Sequence, residues 1–230
     1  HLRLPRGADP NLSLILGGAG TTLEELVGAY RALARSGLSG RPRLQPGDPM
    51  VQARLMSEGA AFIVRDILEA GGHPDRPGIE AQRGLAWKTG TSFGFRDAWA
   101  VGVTDTHTVG VWVGRPDGTP NPGFFGANVA APLLHDLVAA LDAVPPAPRQ
   151  PPFGVQRAIT CWPLGLRAES TDPTHCLQRR TGWMLDGATP PTLPDRARSS
   201  GLLRTGGCPD ALGEGSVRAL WPVALVPWVA

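Results

Sequence analysis

Lys88, Thr89, Gly90 and Thr91 stand in a row, and together they suit the recognition of an anion at a backbone edge. Lysine brings a compact ammonium that attracts a carboxylate or tunes a neighbouring hydroxyl. On an extended strand Thr89 and Thr91 are two residues apart, so their hydroxyls share one side. Gly90 removes a side chain where another backbone, such as a peptide, could come close. A strand edge with free amides and carbonyls takes an extended peptide by adding it to the sheet. Lys88 is also the single lysine; of the 22 Lys+Arg residues, the remaining 21 are arginines. Arginine carries a wider planar fork, so the lone lysine points to a need for the compact charge at this place.

The elements that must hold this row are legible around it. Leu85 to Thr91, Asp97 to Val103 and Thr108 to Gly114 each read as strands, with the turn-prone Thr104 to His107 closing a hairpin between the last two. In the middle strand Trp99, Val101 and Val103 alternate with Ala98, Ala100 and Gly102, and in the next Val109, Val111 and Val113 share a face. A first helix is capped by Thr21 or Thr22 with Glu24 or Glu25 closing a capping box. Its expected apolar face is Leu23, Leu26, Val27, Tyr30 and Leu33, and Gly37 is placed to end it. A second helix is expected from Ser57 to Gly71, burying Ala60, Ile63, Val64, Ile67 and Leu68. A third is expected from Pro132, burying Leu133, Leu134, Leu137, Val138 and Leu141. Helix, helix, antiparallel strands, helix is an α+β pattern.

The Pro145 to Pro152 run removes backbone donors and disfavours helix, so it reads as a stiff linker. Beyond it the chain is short-stranded, punctuated by proline and glycine, and carries Cys161, Cys176 and Cys208. Their spacing fits no paired zinc pattern, so no metal is expected, and His175 beside Cys176 does not change that. One disulfide with a spare thiol and three reduced thiols both remain open, and Cys161 with Cys176 is the pair expected if a bond forms. Trp162, Trp183, Trp221 and Trp228 are expected as core fillers of this part.

Composition removes other classes. A net charge of +2 gives no basic field for nucleic acid. Hydrophobic content of 42% is too high for a disordered chain, and no apolar run reaches the ~18 residues of a membrane span. The chain begins at His1 without a signal segment and is expected to be a piece of something longer.

Lys88-Thr89-Gly90-Thr91 resembles the Lys-Thr-Gly box of the serine penicillin-recognising enzymes. Residues 14 to 37 and Trp87 to Thr119 resemble the segments around that box in class A penicillin-binding proteins. The Arg115-Pro116-Asp117-Gly118-Thr119 ending resembles the 1C type. Residues 153 to 230 resemble that type's small C-terminal domain through Cys161-Trp162-Pro163 and Trp183-Met184-Leu185-Asp186-Gly187. The resemblance implies an antiparallel sheet flanked by helices, as in penicillin-binding transpeptidases and serine β-lactamases. It would be truncated to residues 1–144, with the linker at 145–152 and a β-rich domain at 153–230.

It also implies roles. Lys88 would line the cleft and set its positive potential. The Thr89 and Thr91 side chains would hold the terminal carboxylate of a D-Ala-D-Ala stem peptide or of a β-lactam. The Thr91 amide would be an oxyanion-hole donor, and Gly90 would let the acyl group lie close. No cofactor is implied. The family's Ser-x-x-Lys and Ser-x-Asn motifs do not occur here; Leu85 stands three places before Lys88. Ser92 has no base in the family's arrangement. The chain alone is therefore expected to be inactive, as the C-terminal portion of a bifunctional glycosyltransferase and transpeptidase of cell-wall peptidoglycan. That protein would act in the periplasm, anchored to the inner membrane through an N-terminal segment missing here. Two other outcomes stay open: a carboxypeptidase or β-lactamase, and a binding module whose residues 153 to 230 dock a periplasmic protein.

Overall fold

The computed structural model describes residues 12–70, 84–142, 147–162, 165–171, 173, 176, 178–189, 203–205 and 217–219. Gly71, Pro145, His175, Cys208, Trp221 and Trp228, named above, lie outside them. The chain divides into two compact units, His1–Pro152 and Phe153–Ala230. Among the described residues no helix is long and apolar enough to cross a membrane.

The first unit is built on a three-stranded antiparallel sheet of β3 (Ala86–Thr91), β4 (Asp97–Val103) and β5 (Thr108–Gly114), in that order. Its register pairs Lys88 with Val101 and Val101 with Gly110, so these residues share one face of the sheet. Thr89, Ala100 and Val111 share the other. Each face carries helix. Helix α1 (Leu23–Ala34) lies on the Gly110 side, where Val27 and Leu23 occupy the space a Cβ would need. Helix α3 (Ala131–Leu141) covers the other face and buries Ala131, Leu134 and Val138 against Leu85, Trp87, Ala98, Ala100 and Val111. Gly102 admits this packing, because a Cβ there would sit 2.8 Å from Leu85 and 3.1 Å from Leu134.

The caps follow local chemistry. Thr22 is the N-cap of α1: its Oγ accepts from the Glu25 amide at 3.1 Å while Glu25 reaches back to the Thr22 amide. Gly37 ends the helix in the left-handed region and donates to Ala32 O at 2.8 Å. Between α1 and helix α2 (Glu58–Ala70) the chain forms a small antiparallel pair, β1 (Leu38–Gly40) with β2 (Gln52–Arg54). At three residues each these strands are too short for alternation to mark them.

Three helix faces differ from the sequence reading. In α1 the fully buried positions are Gly28, Ala32 and Leu33, with Leu26 and Tyr30 only half-buried. In α2 the buried residues are Gly59, Ala61 and Arg65, while Val64 and Ile67 are exposed. The cause is an ion network. Arg65 donates to Glu69 at 3.0 Å and to Asp105, in the β4–β5 turn, at 2.6 Å, which turns this side of the helix inward. Arg149 grips the same Glu69 with both Nη atoms, at 2.5 and 2.7 Å, fastening the proline-rich stretch to α2. In α3 the buried stripe is narrower than the leucine pattern, and Leu133, Leu137 and Leu141 face out. That helix is apolar on most of its surface, so periodicity could not choose its face.

The β4–β5 turn is also tied to the end of α3, where Asp142 Oδ1 accepts from Thr106 at 2.5 Å and meets His107 Nδ1 at 2.7 Å. Burial works to raise the Asp142 carboxyl, but hydrogen bonds from Thr104, Thr106 and His107 outweigh it and hold it below the ordinary 3.8. His135, edge-on to Trp87 at 4.9 Å, is pushed below the ordinary 6.5 by burial, against the opposing pull of Asp136. The unfolded chain therefore protonates His135 before the folded one does, and stability falls as pH drops below 6.5. Denaturant titrations at pH 7.5 and 5.5 are expected to show this loss, and His135→Phe to reduce it.

The second unit contains an antiparallel sheet in which β6 (Val155–Trp162) pairs along its length with β8 (Gln178–Leu185) and at one end with the short β7 (Leu166–Arg167). Cys161 is fully buried and disulfide-bonded to Cys176. Arg157 lies over the Trp183 ring at 4.5 Å. A further pair, β9 (Leu203–Thr205) with β10 (Val217–Ala219), lies in the same unit.

Candidate functional site

β3 pairs with β4 alone, so its other edge is open among the described residues. Ala86 and Trp87 anchor the start of the strand in the core, and from Lys88 onward it emerges to the surface. The alternation places Thr89 and Thr91 on the α3 side of the sheet and Lys88 and Gly90 on the α1 side. Lys88 is exposed, and its Nζ donates to the Thr89 carbonyl at 2.8 Å.

Thr91 is held by a residue that sequence reasoning missed. The chain enters α3 through a π-helical turn, Gly126–Ala130, and the Gly126 amide donates to Thr91 Oγ1 at 3.0 Å. A hydroxyl whose oxygen already accepts still has its own proton to donate, which suits it to an anion. Gly126 must lack a side chain: a Cβ would stand 2.5 Å from Gly90 O and 2.6 Å from Trp99 O. Asn128 fixes the turn, accepting from the Phe125 amide at 2.8 Å and donating to Gly123 O at 2.9 Å. The signal for this was Asn128 itself, a side chain that caps local backbone just before an apolar helix.

Gly90 is a different kind of glycine. A Cβ there would meet only Trp99 Cβ, at an ordinary 3.7 Å, so the fold leaves the space above this strand open. Gly90→Ala is expected to unfold in denaturant at the parent's midpoint or slightly above it, since alanine restricts the unfolded chain. Gly126→Ala, which must displace backbone oxygens, is expected to lose about 1–3 kcal/mol in the same titration.

Ser92 closes the turn after β3. Its Oγ accepts from the Asp97 amide at 2.8 Å and its own amide donates to Asp97 O at 2.9 Å. Beside it, Phe95 takes left-handed backbone and meets Phe125 edge-on at 5.1 Å. Among the described residues no group of three or more His, Cys, Asp or Glu is placed to hold a metal ion. Open strand, bare Gly90, exposed ammonium and donor-ready hydroxyl together can bind an extended chain ending in a carboxylate. They supply no nucleophile–base pair.

Residues 154–184 match the family described as the penicillin-binding protein 1C linker domain. The chain is 45% identical, over 99% of its length, to penicillin-binding protein 1C of Escherichia coli strain K12, and spans 31% of that protein. It is 25% identical, over 80% of its length, to penicillin-binding protein 1A of Clostridium tetani, and spans 26% of it. Among solved structures it superposes on penicillin-binding protein 1A from Haemophilus influenzae with a TM-score of 0.62. That match covers 80% of this chain and 35% of the other at 18% identity, and so speaks to the α+β fold alone.

Proposed function

We propose, for a chain that belongs with the penicillin-binding proteins of the 1C type, that β3 is one wall of a transpeptidase cleft in a peptidoglycan synthase about three times this length. The observation that carries this is the Thr91 hydroxyl, held as an acceptor by the Gly126 amide and left with its proton to donate, on a strand whose glycine admits a ligand. In this reading the Thr89 and Thr91 hydroxyls bind the terminal carboxylate of a D-Ala-D-Ala stem peptide or of a β-lactam. Lys88 supplies the positive potential that draws that carboxylate in. The Thr91 amide stabilises the oxyanion formed when a serine attacks the scissile carbonyl. Gly90 lets the acyl group lie against the strand.

The serine and its lysine come from a Ser-x-x-Lys motif, and the second motif is Ser-x-Asn; neither is in this chain. Both belong to the remainder of the synthase, along with the glycosyltransferase domain and the anchor that holds the protein at the periplasmic face of the inner membrane. Residues 1–144 then form the C-terminal part of the transpeptidase domain, 145–152 the linker and 153–230 the terminal domain. A second role, docking of a periplasmic protein on residues 153–230, is favoured by Phe153 and Ile159, both exposed on that unit.

The test is complementation. This chain is joined in frame to the part of the Escherichia coli relative that it does not match, and the chimera is incubated with a fluorescent penicillin. Covalent labelling that an excess of a D-Ala-D-Ala peptide slows is the expected result. A folded chimera that takes no label overturns the reading.

A further inference from the structure

A cleft of about 770 Å³ lies at the opposite end of the sheet from Thr91, between α1, the segment from β1 to β2, and the β4–β5 turn. Arg31, Arg35, Arg41 and Arg43 all line it. Among the described residues the only carboxylate in its lining is Asp105, which is already committed to Arg65 at 2.6 Å. A chain whose net charge is +2 thus gathers four guanidinium groups around one cavity.

The backbone is shaped for this gathering. Arg31 stands in the last turn of α1 and Arg35 is the C-cap residue four positions on. Arg41 and Arg43 are two residues apart just beyond β1, where the Arg41 amide continues the ladder to Val51 O at 3.1 Å. Gly28 and Gly40 bring α1 and β1 together, since a Cβ on Gly28 would lie 2.6 Å from Gly40 O. A Cβ on Gly40 would lie 2.4 Å from Arg31 Nη1, so the bare glycine lets that guanidinium cross into the cleft. Present partners of the arginines are weak or neutral. Arg41 meets Glu24 at 3.4 Å with both side chains more than half exposed, a pair worth little in water. Among the described residues Arg43 donates to the carbonyls of Pro46 and Asp48.

We propose that this cleft binds a multiply charged oxyanion of the phosphate class. Guanidinium forks match phosphate oxygens two at a time, and four of them suit a ligand with more than one negative charge. Leu44, Met50 and Val51 are exposed along its lining, which would also suit an apolar tail carried by such an anion. This site is independent of the transpeptidase reading and shares no residue with β3.

Calorimetric titration of the intact chain with inorganic pyrophosphate at low salt tests it, with a parallel arm using vesicles of phosphatidylglycerol against phosphatidylcholine. Saturable binding that weakens with added sodium chloride is expected. The double variant Arg35→Glu, Arg43→Glu is expected to bind about tenfold or more weakly, as paired charge-assisted contacts are lost. Arg115→Glu with Arg179→Glu makes the same change in net charge elsewhere and is expected to bind like the parent. If the cleft double fails to fold, Arg41→Gln with Arg43→Gln, matched to the parent by thermal melt, replaces it. Capture by the anionic vesicles alone, lost in the cleft variant, assigns the phosphate to a lipid headgroup. Pyrophosphate binding alone assigns it to a free anion. No binding in either arm, or equal weakening by both doubles, overturns the proposal.

Discussion

In the chimera that completes the cleft, Lys88→Ala is expected to slow labelling by fluorescent penicillin about a hundredfold or more, the scale of losing one preorganised charge or donor at a reacting carbonyl. Two features of the structure set this expectation. Lys88 is exposed on the open strand, so its charge is not spent on folding, and its contact with the Thr89 carbonyl keeps the ammonium against the backbone of the strand that would take the carboxylate. The chain has no second lysine to stand in. Lys88→Arg keeps the charge but widens the donor, so it should recover part of the rate. Neither change should alter the free energy of unfolding by more than about 0.5 kcal/mol, as for any exposed side chain outside a packed feature. Labelling of Lys88→Ala at the parent's rate would contradict the role given to this residue.

Arg65→Ala carries the largest expected effect on stability, a loss of about 3 kcal/mol in denaturant titration of the chain as it stands. Its side chain is 4% exposed and links α2 to the β4–β5 turn through Glu69 and Asp105. Removing it leaves Asp105 without that partner and opens a space under the sheet. Glu69 keeps the bidentate grip of Arg149, and Asp105 is partly solvated already, which holds the loss to the lower end of the range for broken buried pairs. The same change frees the turn that touches the arginine-lined cleft. A variant as stable as the parent would show that the network is surface decoration.

The sheet was the most legible part of the fold. Alternation in Asp97–Val103 and Thr108–Gly114 marks both strands to the residue, because one side of each must face α3 and small residues sit where helices approach. The helices were legible as elements but not as faces. Apolar residues surround most of α3, so only the sheet beneath decides that Leu134 is buried and Leu133 is not. In α2 a charged residue won the interior, because partners 4 and 40 positions away met it there. No periodicity reports that.

The candidate site divides in the same way. The Lys88–Thr91 row is local and could be read directly. Gly126, which holds Thr91, stands 35 residues further on and meets it only through the turn into α3. The arginines of the cleft were hidden by their number: in a chain with 21 of them, only the folded proximity of α1 to the β1–β2 segment singles out four.

The most direct measurement is the simplest one. The chain by itself, folded and at high concentration, is incubated with fluorescent penicillin and examined by denaturing gel and intact mass. The expected result is no covalent adduct, because β3 offers a binding wall without a nucleophile and Ser92 is tied into the Asp97 turn. A stable adduct on Ser92 or on any other serine of this chain would contradict the assignment of the reacting groups to the rest of the synthase.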